Sequence, residues 1–264
     1  NDFVVLDAIT QDIKLNAQQA QKIANRHTGV GCDQLLLVEP PAQPDIDFHY
    51  RIFNADGSEV EHCGNGVRCL GKFVQDKRLT GKHKIRVSTS NSTVQIEMLS
   101  TNDIRVDMGP PVLVPSQIPL EAAEQRSIYS LQTEFGSTEF GAVSMGNPHA
   151  VIQVDNVDTA NVQTLGAAIE THEMFPNRVN VGFMQVVDKN TIRLRVFERG
   201  AGETRACGTG ACAAVVSGQL RELLDRQVKV ELTGGTLLVE WKGNNSHVYM
   251  TGEAVKVFDG KIKL

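Results

Sequence analysis

Two stretches of this chain line up residue for residue without a gap, and a chain that repeats itself in this way implies two like halves. Phe53-Asn-Ala-Asp-Gly-Ser-Glu-Val-Glu-His-Cys63-Gly-Asn-Gly runs beside Phe197-Glu-Arg-Gly-Ala-Gly-Glu-Thr-Arg-Ala-Cys207-Gly-Thr-Gly, at an offset of 144 (207 − 63). Further back, Asn1-Asp-Phe-Val-Val matches Asn147-Pro-His-Ala-Val, and Gln34-Leu-Leu-Leu-Val matches Asn180-Val-Gly-Phe-Met, both at 146 (147 − 1 and 180 − 34). The polar positions Asn1/Asn147, Gln34/Asn180, Asn54/Glu198 and Cys63/Cys207 therefore recur, each beside an expected strand or helix start. A duplication kept only for its core would preserve apolar residues. Here the matches are polar, small or thiol, which points to a site shared by the halves.

The hydrophobic pattern is mostly that of strands. Alternating or β-branched runs predict strands at 2–6, 34–38, 47–53, 84–88, 92–98, 103–108, 149–154, 181–187, 191–197, 228–232, 236–241 and 253–258. Helical periodicity predicts helices at 17–27, 65–76, 162–172 and 209–225. The last is apolar all round, which suits a helix wrapped by sheet. Many strands with few, buried helices predict an α+β fold rather than βαβ units. The Pro cluster at 110–119 is the expected domain crossing. A net charge of −5 argues against nucleic acid or an anionic membrane as partner. No apolar run approaches the roughly 18 residues a membrane-spanning helix needs. Five cysteines in 264 residues are too sparse for a disulfide scaffold, so a reducing cytoplasm is expected.

The two Cys-Gly-x-Gly segments carry the chemistry. Each places a thiol just before a helix whose first N–H groups are unpaired and whose dipole end is positive. That surrounding is expected to lower a thiol's pKa. The glycines also let a carboxylate approach the free amides. Inverting a carbon that bears one hydrogen needs a proton removed from one face and delivered to the other. One thiolate and one thiol do both tasks and exchange roles in reverse. No lysine motif or phosphate loop suggests pyridoxal phosphate, so no cofactor is expected; charge held at the helix N-termini would stand in for one. Zinc on Cys63/Cys69 and Cys207/Cys212 is the metal rival. Its ligand spacings are unequal and, at one end, longer than the usual two to four intervening residues, so no metal is expected. A thiol–disulfide redox protein would carry a proximal Cys-x-x-Cys, which is absent. Cys69 and Cys212 are read as helix packing residues and Cys32 as incidental.

The stretches Asn54-Ala-Asp-Gly-Ser-Glu-Val-Glu-His-Cys-Gly-Asn-Gly-Val-Arg-Cys, Met145-Gly-Asn-Pro-His and Glu198-Arg-Gly-Ala-Gly-Glu-Thr-Arg-Ala-Cys-Gly-Thr-Gly-Ala-Cys closely resemble bacterial diaminopimelate epimerases, and the resemblance covers essentially the whole chain. It implies two pseudo-symmetric α+β domains, each a curled, mostly antiparallel β-structure around a central helix, with the active site in the cleft between them. It also implies interconversion of LL- and meso-diaminopimelate without metal or pyridoxal phosphate, on the route to lysine and peptidoglycan. The last strand is then expected to return to the first domain, giving halves of 1–107 plus 253–264 and of 108–252.

The resemblance casts Cys63 as proton donor and Cys207 as acceptor for one direction. Gly64-Asn65 and Gly208-Thr209 would hold the reacting carboxylate by their backbone N–H groups. Asn1, Gln34, Asn54, Asn147, Asn180, Glu198 and Arg199 would line the rest of the pocket. Arg199 suits the distal carboxylate, Glu198 an ammonium, and His149 and Glu198 the tuning of neighbouring charge. The other reading of the same fold is a proline or hydroxyproline racemase or epimerase. A homodimer is expected as the commonest oligomer. Many relatives carry serine where this chain has Thr209, a change the backbone contact should tolerate. Gly-Ala-Val-Ser-Met-Gly precedes Asn147 with no counterpart before Asn1, so about ten further residues are expected upstream, on the pattern of the duplicated half.

Overall fold

The computed structural model describes residues 1–60 and 64–263; Glu61, His62, Cys63 and Leu264 lie outside the described residues. The chain divides into two compact units, Asn1–Asp107 with Thr251–Leu264, and Met108–Met250.

Unit 1 holds β1 (Phe3–Asp7), α1 (Ala17–Ala24), β2 (Gln34–Glu39), β3 (Phe48–Asn54), β4 (Glu59–Val60), α2 (Gly64–Asp76), β5 (Lys84–Ser88), β6 (Thr93–Met98) and β7 (Asp103–Asp107). Its strands lie in the order β1-β2-β3-β5-β6-β7, with β4 on β3. Helix α1 starts where a capping box satisfies both ends of the first turn: Gln19 N–H donates to Asn16 Oδ1 at 2.9 Å, and Asn16 N–H donates to Gln19 Oε1 at 3.0 Å. It was expected to reach residue 27 but stops at Ala24. Asn25 turns extended and its Oδ1 takes the N–H groups of His27 and Thr28, a local alternative to another helical turn. Helix α2 packs on β6 and β7, and Gly71 permits the close approach: a Cβ there would meet Ile96 and Ile104 at 3.2 Å.

Unit 2 holds β8 (Tyr129–Thr133), β9 (Gly136–Ser144), β10 (Pro148–Gln153), α3 (Val162–Glu170), β11 (Asn180–Asp188), β12 (Thr191–Glu198), β13 (Gly202–Thr204), α4 (Gly208–Leu220), β14 (Gln227–Leu232) and β15 (Gly235–Trp241). The order is β15-β14-β12-β11-β10-β9-β8, with β13 on β12. The last strand, β16 (Val248–Glu253), straddles the division of the units at Met250/Thr251. Helix α4 is buried from Gly210 through Gly218, as an all-round apolar helix must be. It ends at Leu220 rather than 225 because Glu222 takes a left-handed conformation (φ 59°) and Leu224 folds back over Gly218.

The duplication reappears as hydrogen-bond register. Phe3 pairs with Gln34 in the parallel β1/β2 ladder, and His149 pairs with Asn180 in parallel β10/β11, each 146 residues on. Phe53 faces Glu59 and Phe197 faces Glu203, 144 on. Ile85 faces Ile96 and Val228 faces Val239, 143 on. Antiparallel pairings predominate in both units, and the fold is α+β.

One expected strand is misplaced. Residues 253–258 form no strand beyond Glu253, and Val255, Val257 and Phe258 are exposed. The period-2 burial that makes a strand lies earlier, in Val248–Glu253. Strands β4, β8, β9 and β13 were not expected. Among the described residues no helix is long and apolar enough to cross a membrane.

Helix α3 lies against β12 at Gly166, where an added Cβ would come within 2.7 Å of Phe197. Gly166→Val should therefore cost about 1–3 kcal/mol through overpacking. Urea denaturation should show a lower midpoint at unchanged slope; an unchanged midpoint would show that the α3/β12 contact yields freely.

Candidate active site

In unit 1 the expected residues gather at the ends of β1, β2 and β3 and at the start of α2. The β2/β3 register sets Gln34 opposite Asn54, and Gln34 Nε2 donates to Asn54 Oδ1 at 3.0 Å. Asn65 Nδ2 donates to Asn1 Oδ1 at 2.6 Å, and Asn1 Nδ2 donates to Asp33 Oδ2 at 3.4 Å. Two buried acceptors, Gln34 Oε1 and Asn65 Oδ1, have no partner among the described residues. Buried acceptors left open in this way suit a ligand that brings N–H donors. Gly64 and Asn65 begin α2 and are both buried. Cys63, the residue before them, lies outside the described residues.

Unit 2 shows the matching cluster in full. Cys207 is the N-cap of α4, 4% exposed, and Ala211 N–H closes the first helical turn on its carbonyl at 3.0 Å. The amides of Gly208, Thr209 and Gly210 thus lack intrahelical partners. That of Gly210 is directed to the Cys207 sulfur, and Thr209 Oγ1 stands 3.7 Å from it. Gly208 and Thr209 keep their N–H groups for an anion.

The thiol itself departs from expectation. The helix start was expected to lower its pKa; instead, burial pushes Cys207 well up, and the Glu198 carboxylate raises it further. The Thr209 hydroxyl and Gly210 amide act the other way but are outweighed. Cys207 is thus held as a thiol with a carboxylate beside it.

Glu198 ends β12 and accepts a hydrogen bond from Thr204 Oγ1. Nothing in the sequence pattern singled out Thr204; it becomes visible only once β13 pairs with β12. Asn180 is buried and already occupied: Nδ2 donates to Pro148 O at 2.8 Å, and Oδ1 accepts from Arg199 N–H at 3.0 Å. In this arrangement it fixes the backbone of Arg199. Glu170, also unforeseen, accepts from the next amide, Gly200 N–H, at 2.7 Å. The Arg199 guanidinium is exposed, donating to Asn177 O at 3.0 Å. Asn147 Oδ1 lies 3.0 Å from His149 Nε2, while His149 Nδ1 is buried without a partner among the described residues. Burial, reinforced by Arg199, lowers the His149 pKa from 6.5 to about 3, so the ring is neutral.

Two of the remaining thiols, Cys32 and Cys212, are buried. Burial pushes Cys32 up to about 11, and Cys212 sits in the core of unit 2. Among the described residues no three His, Cys, Asp or Glu side chains are grouped to hold a metal.

A sequence model of the family described as diaminopimelate epimerase matches residues 1–114 and 141–257. The chain belongs to the diaminopimelate epimerase family. It is 54% identical over 264 residues to a diaminopimelate epimerase from Stutzerimonas stutzeri (strain A1501), covering 100% of this chain and 96% of that one. Two solved structures share the fold at low identity. A PhzF-family phenazine biosynthesis protein from Bacillus anthracis superposes with a TM-score of 0.65 at 17% identity, covering 95% and 90% of the two chains. A hydroxyproline epimerase from Agrobacterium vitis superposes with a TM-score of 0.60 at 14% identity, covering 89% and 81%. Within the epimerase family, then, the described half-site offers a buried thiol, a neighbouring carboxylate, two free amides and an arginine.

A histidine neutral when folded and protonatable when unfolded makes stability fall with acid. The contribution is whole above pH 6.5 and is lost, at about 1.4 kcal/mol per pH unit, as pH falls towards 3. Between pH 7 and 4.5, His149→Gln should therefore lose about 2–3 kcal/mol less stability than the parent protein. Chemical denaturation at the two pH values reads this; parallel losses would place His149 in contact with water.

Proposed function

We propose that the chain interconverts LL- and meso-2,6-diaminopimelate, as an isomerase that inverts one alpha carbon with Cys63 and Cys207 as its acid/base pair. The observation that carries the reading is Cys207: a buried thiol at a helix start, between a carboxylate and unpaired amides, in a chain 54% identical to a diaminopimelate epimerase.

The substrate's reacting carboxylate takes the N–H groups of Gly208 and Thr209, with Gly64 and Asn65 as their counterparts in unit 1. There the amides stabilise the charge that spreads onto the carboxylate once the alpha proton leaves. Glu198 accepts the Cys207 proton, and the resulting thiolate takes the alpha hydrogen as a proton. Cys63, as a thiol, delivers a proton to the opposite face; once product leaves, Glu198 gives up its proton to solvent and the Cys63 thiolate takes one from solvent, which restores the starting state. The bond broken is one C–H and the bond formed another, so no oxidant, metal or cofactor is needed. In the reverse direction the thiols exchange roles.

Arg199 favours diaminopimelate over a proline-type substrate. A cyclic amino acid has one carboxylate, already held by the amides, and leaves the exposed guanidinium without a ligand. Diaminopimelate has a second carboxylate that the fork of Arg199 can take bidentately. The open acceptors Gln34 Oε1 and Asn65 Oδ1 suit its ammonium groups, with Asn1, Asn54 and Asn147 completing the polar lining. The reaction would serve lysine and peptidoglycan precursor synthesis, in a cytoplasmic enzyme acting as a homodimer.

Incubation in deuterated water separates the readings. LL-diaminopimelate should gain deuterium at one alpha carbon and L-proline should not. Cys63→Ala and Cys207→Ala should each abolish epimerisation in a folded protein, whereas Cys69→Ala should keep most of it. Near-parental turnover by Cys63→Ala would end the two-thiol mechanism. Arg199→Met should lower kcat/KM on diaminopimelate at least about tenfold, a loss of about 1.4 kcal/mol, with Cys207 alkylation unchanged. Parental efficiency in that variant would return weight to the proline-type substrate.

A further inference from the structure

The duplication preserves one ion pair that touches none of the residues assigned to substrate. On β3, Arg51 Nε and Nη2 donate to the two oxygens of Glu59 on β4, at 2.9 and 2.7 Å. On β12, Arg195 Nε and Nη2 donate to the two oxygens of Glu203 on β13, at 2.6 and 2.9 Å. Both residues shift by 144, the same atoms pair, and the glutamate in each half precedes the thiol of that half by four positions (63 − 59 and 207 − 203). We propose that the Arg195–Glu203 fork, of which Arg51–Glu59 is the duplicate in unit 1, is a positioning device for the Cys207 thiol. The proposal rests on the two-thiol reading above.

The described unit shows how the device acts. Strand β13 is only Gly202–Thr204, too short to hold itself against β12 by ladder bonds alone. Its side chains alternate. Glu203 goes to Arg195 on one side, while Thr204 on the other donates to Glu198, the carboxylate beside the Cys207 thiol. Locking Glu203 therefore sets where Thr204, Glu198 and the segment leading to Cys207 lie. The fork is itself braced. Arg195 Nη1 donates to Val157 O at 2.9 Å, and Gln163 Nε2 donates to Glu203 Oε2 at 3.0 Å. The fork keeps both partners charged against the burial that opposes it: Glu203 is lowered and Arg195 raised, each chiefly by the other.

A neighbouring pair shows what an ordinary surface fork looks like. Arg193, on the same strand, donates through two nitrogens to Asp158 at 2.9 and 2.8 Å, with side chains 37% and 62% exposed. Its position corresponds to His49 in unit 1, so it has no duplicate, and Asp158 is not on the thiol hairpin. Arg195 and Glu203 are 24% and 19% exposed. Exposed pairs of the first kind contribute little. The more buried pair, Arg195–Glu203, is the one at Cys207; its duplicate Arg51–Glu59 is 32% and 38% exposed.

Glu203→Gln, with Asp158→Asn as control, tests this in the full chain. The measurements are kcat and KM on LL-diaminopimelate, thermal unfolding, and the pH dependence of Cys207 alkylation by iodoacetamide, read by peptide mass. In Glu203→Gln, kcat should fall at least tenfold with KM within threefold. Cys207 should alkylate faster, with its pH midpoint moved down as the loosened segment admits water. Asp158→Asn should stay within twofold of the parent on every count. A Glu203→Gln protein that behaves as Asp158→Asn does, or that loses only thermal stability, overturns the proposal. Should Glu203→Gln fail to fold, Arg195→Lys keeps the charge without the fork and is judged by the same two readouts. If the parent protein does not epimerise diaminopimelate, the functional reading fails, and the alkylation profile still decides whether the fork positions Cys207.

Discussion

The alignment of β11 with β12 fixes where unit 2 can do chemistry. Val181 faces Phe197, and the pairing continues through Met184 and Leu194, with Val181, Phe183 and Phe197 packed in one core cluster and Met184, Leu194 and Val196 in another on the opposite face. A slip of one residue would turn every one of these side chains to the other face. The apolar pattern therefore holds the register, and the register brings the end of β12, with Glu198 and Arg199, beside Asn180 at the start of β11. The Arg199 amide reaching Asn180 Oδ1 is the direct result. In unit 1 the same logic sets Gln34 opposite Asn54. Hydrophobic burial, which carries no chemical information, thus delivers polar groups to one end of the sheet.

Two effects compete at Cys207, and their sizes decide the resting state of the thiol. A helix N-terminus favours a nearby negative charge by about 0.3–1 kcal/mol, up to about 2 when partly buried. Removing a charge from water costs several kcal/mol unless it is paired. With Cys207 nearly inaccessible and Glu198 already negative, burial prevails and the sulfur keeps its proton. A thiolate therefore forms at Cys207 only when something offsets the burial and the neighbouring carboxylate. In the proposed reaction an ammonium-bearing substrate does so, because its positive charge offsets Glu198 and a new thiolate together. Reactivity is then coupled to occupancy.

What the sequence disclosed and what it hid follow from range. The repeat, the helix starts and the candidate residues were legible because each is a local pattern: Cys-Gly-x-Gly, polar residues at strand ends, an all-apolar helix. Helix ends were overrun wherever a single residue changed conformation, Asn25 turning extended and Glu222 left-handed, since periodicity carries on past such a break. Residues 253–258 read as a strand, with Val255 and Val257 on either side of Lys256, but such alternation carries no information on which strand edge is free to receive it, and the strand is Val248–Glu253. Thr204, Glu170 and the raised pKa of Cys207 were beyond reach, for each depends on a partner distant in sequence or on burial. Asn180 was legible as a site residue, yet its hydrogen bonds to Pro148 and Arg199 give it a supporting position.

Comparing the two halves separates scaffold from specificity. The Arg–Glu fork, the glycines after each thiol and the strand registers are the same in both. The polar lining keeps Asn1 and Asn147 in common but differs elsewhere. Where unit 1 has Phe3, Gln34, Asn54 and Asn65, unit 2 has His149, Asn180, Glu198 and Thr209. Neutral amides predominate in the first, whereas a carboxylate, with an arginine next to it, marks the second. An epimerisation run by two thiols asks for this division. The proton steps on the two faces of the carbon are near mirror images, so the frames that present the thiols gain from being alike. The substrate's side chain extends from that carbon in one direction only, so the groups that read it gain from being different. A duplicated fold meets the first demand through its backbone. Substitution at strand ends, where the core does not constrain side-chain identity, meets the second.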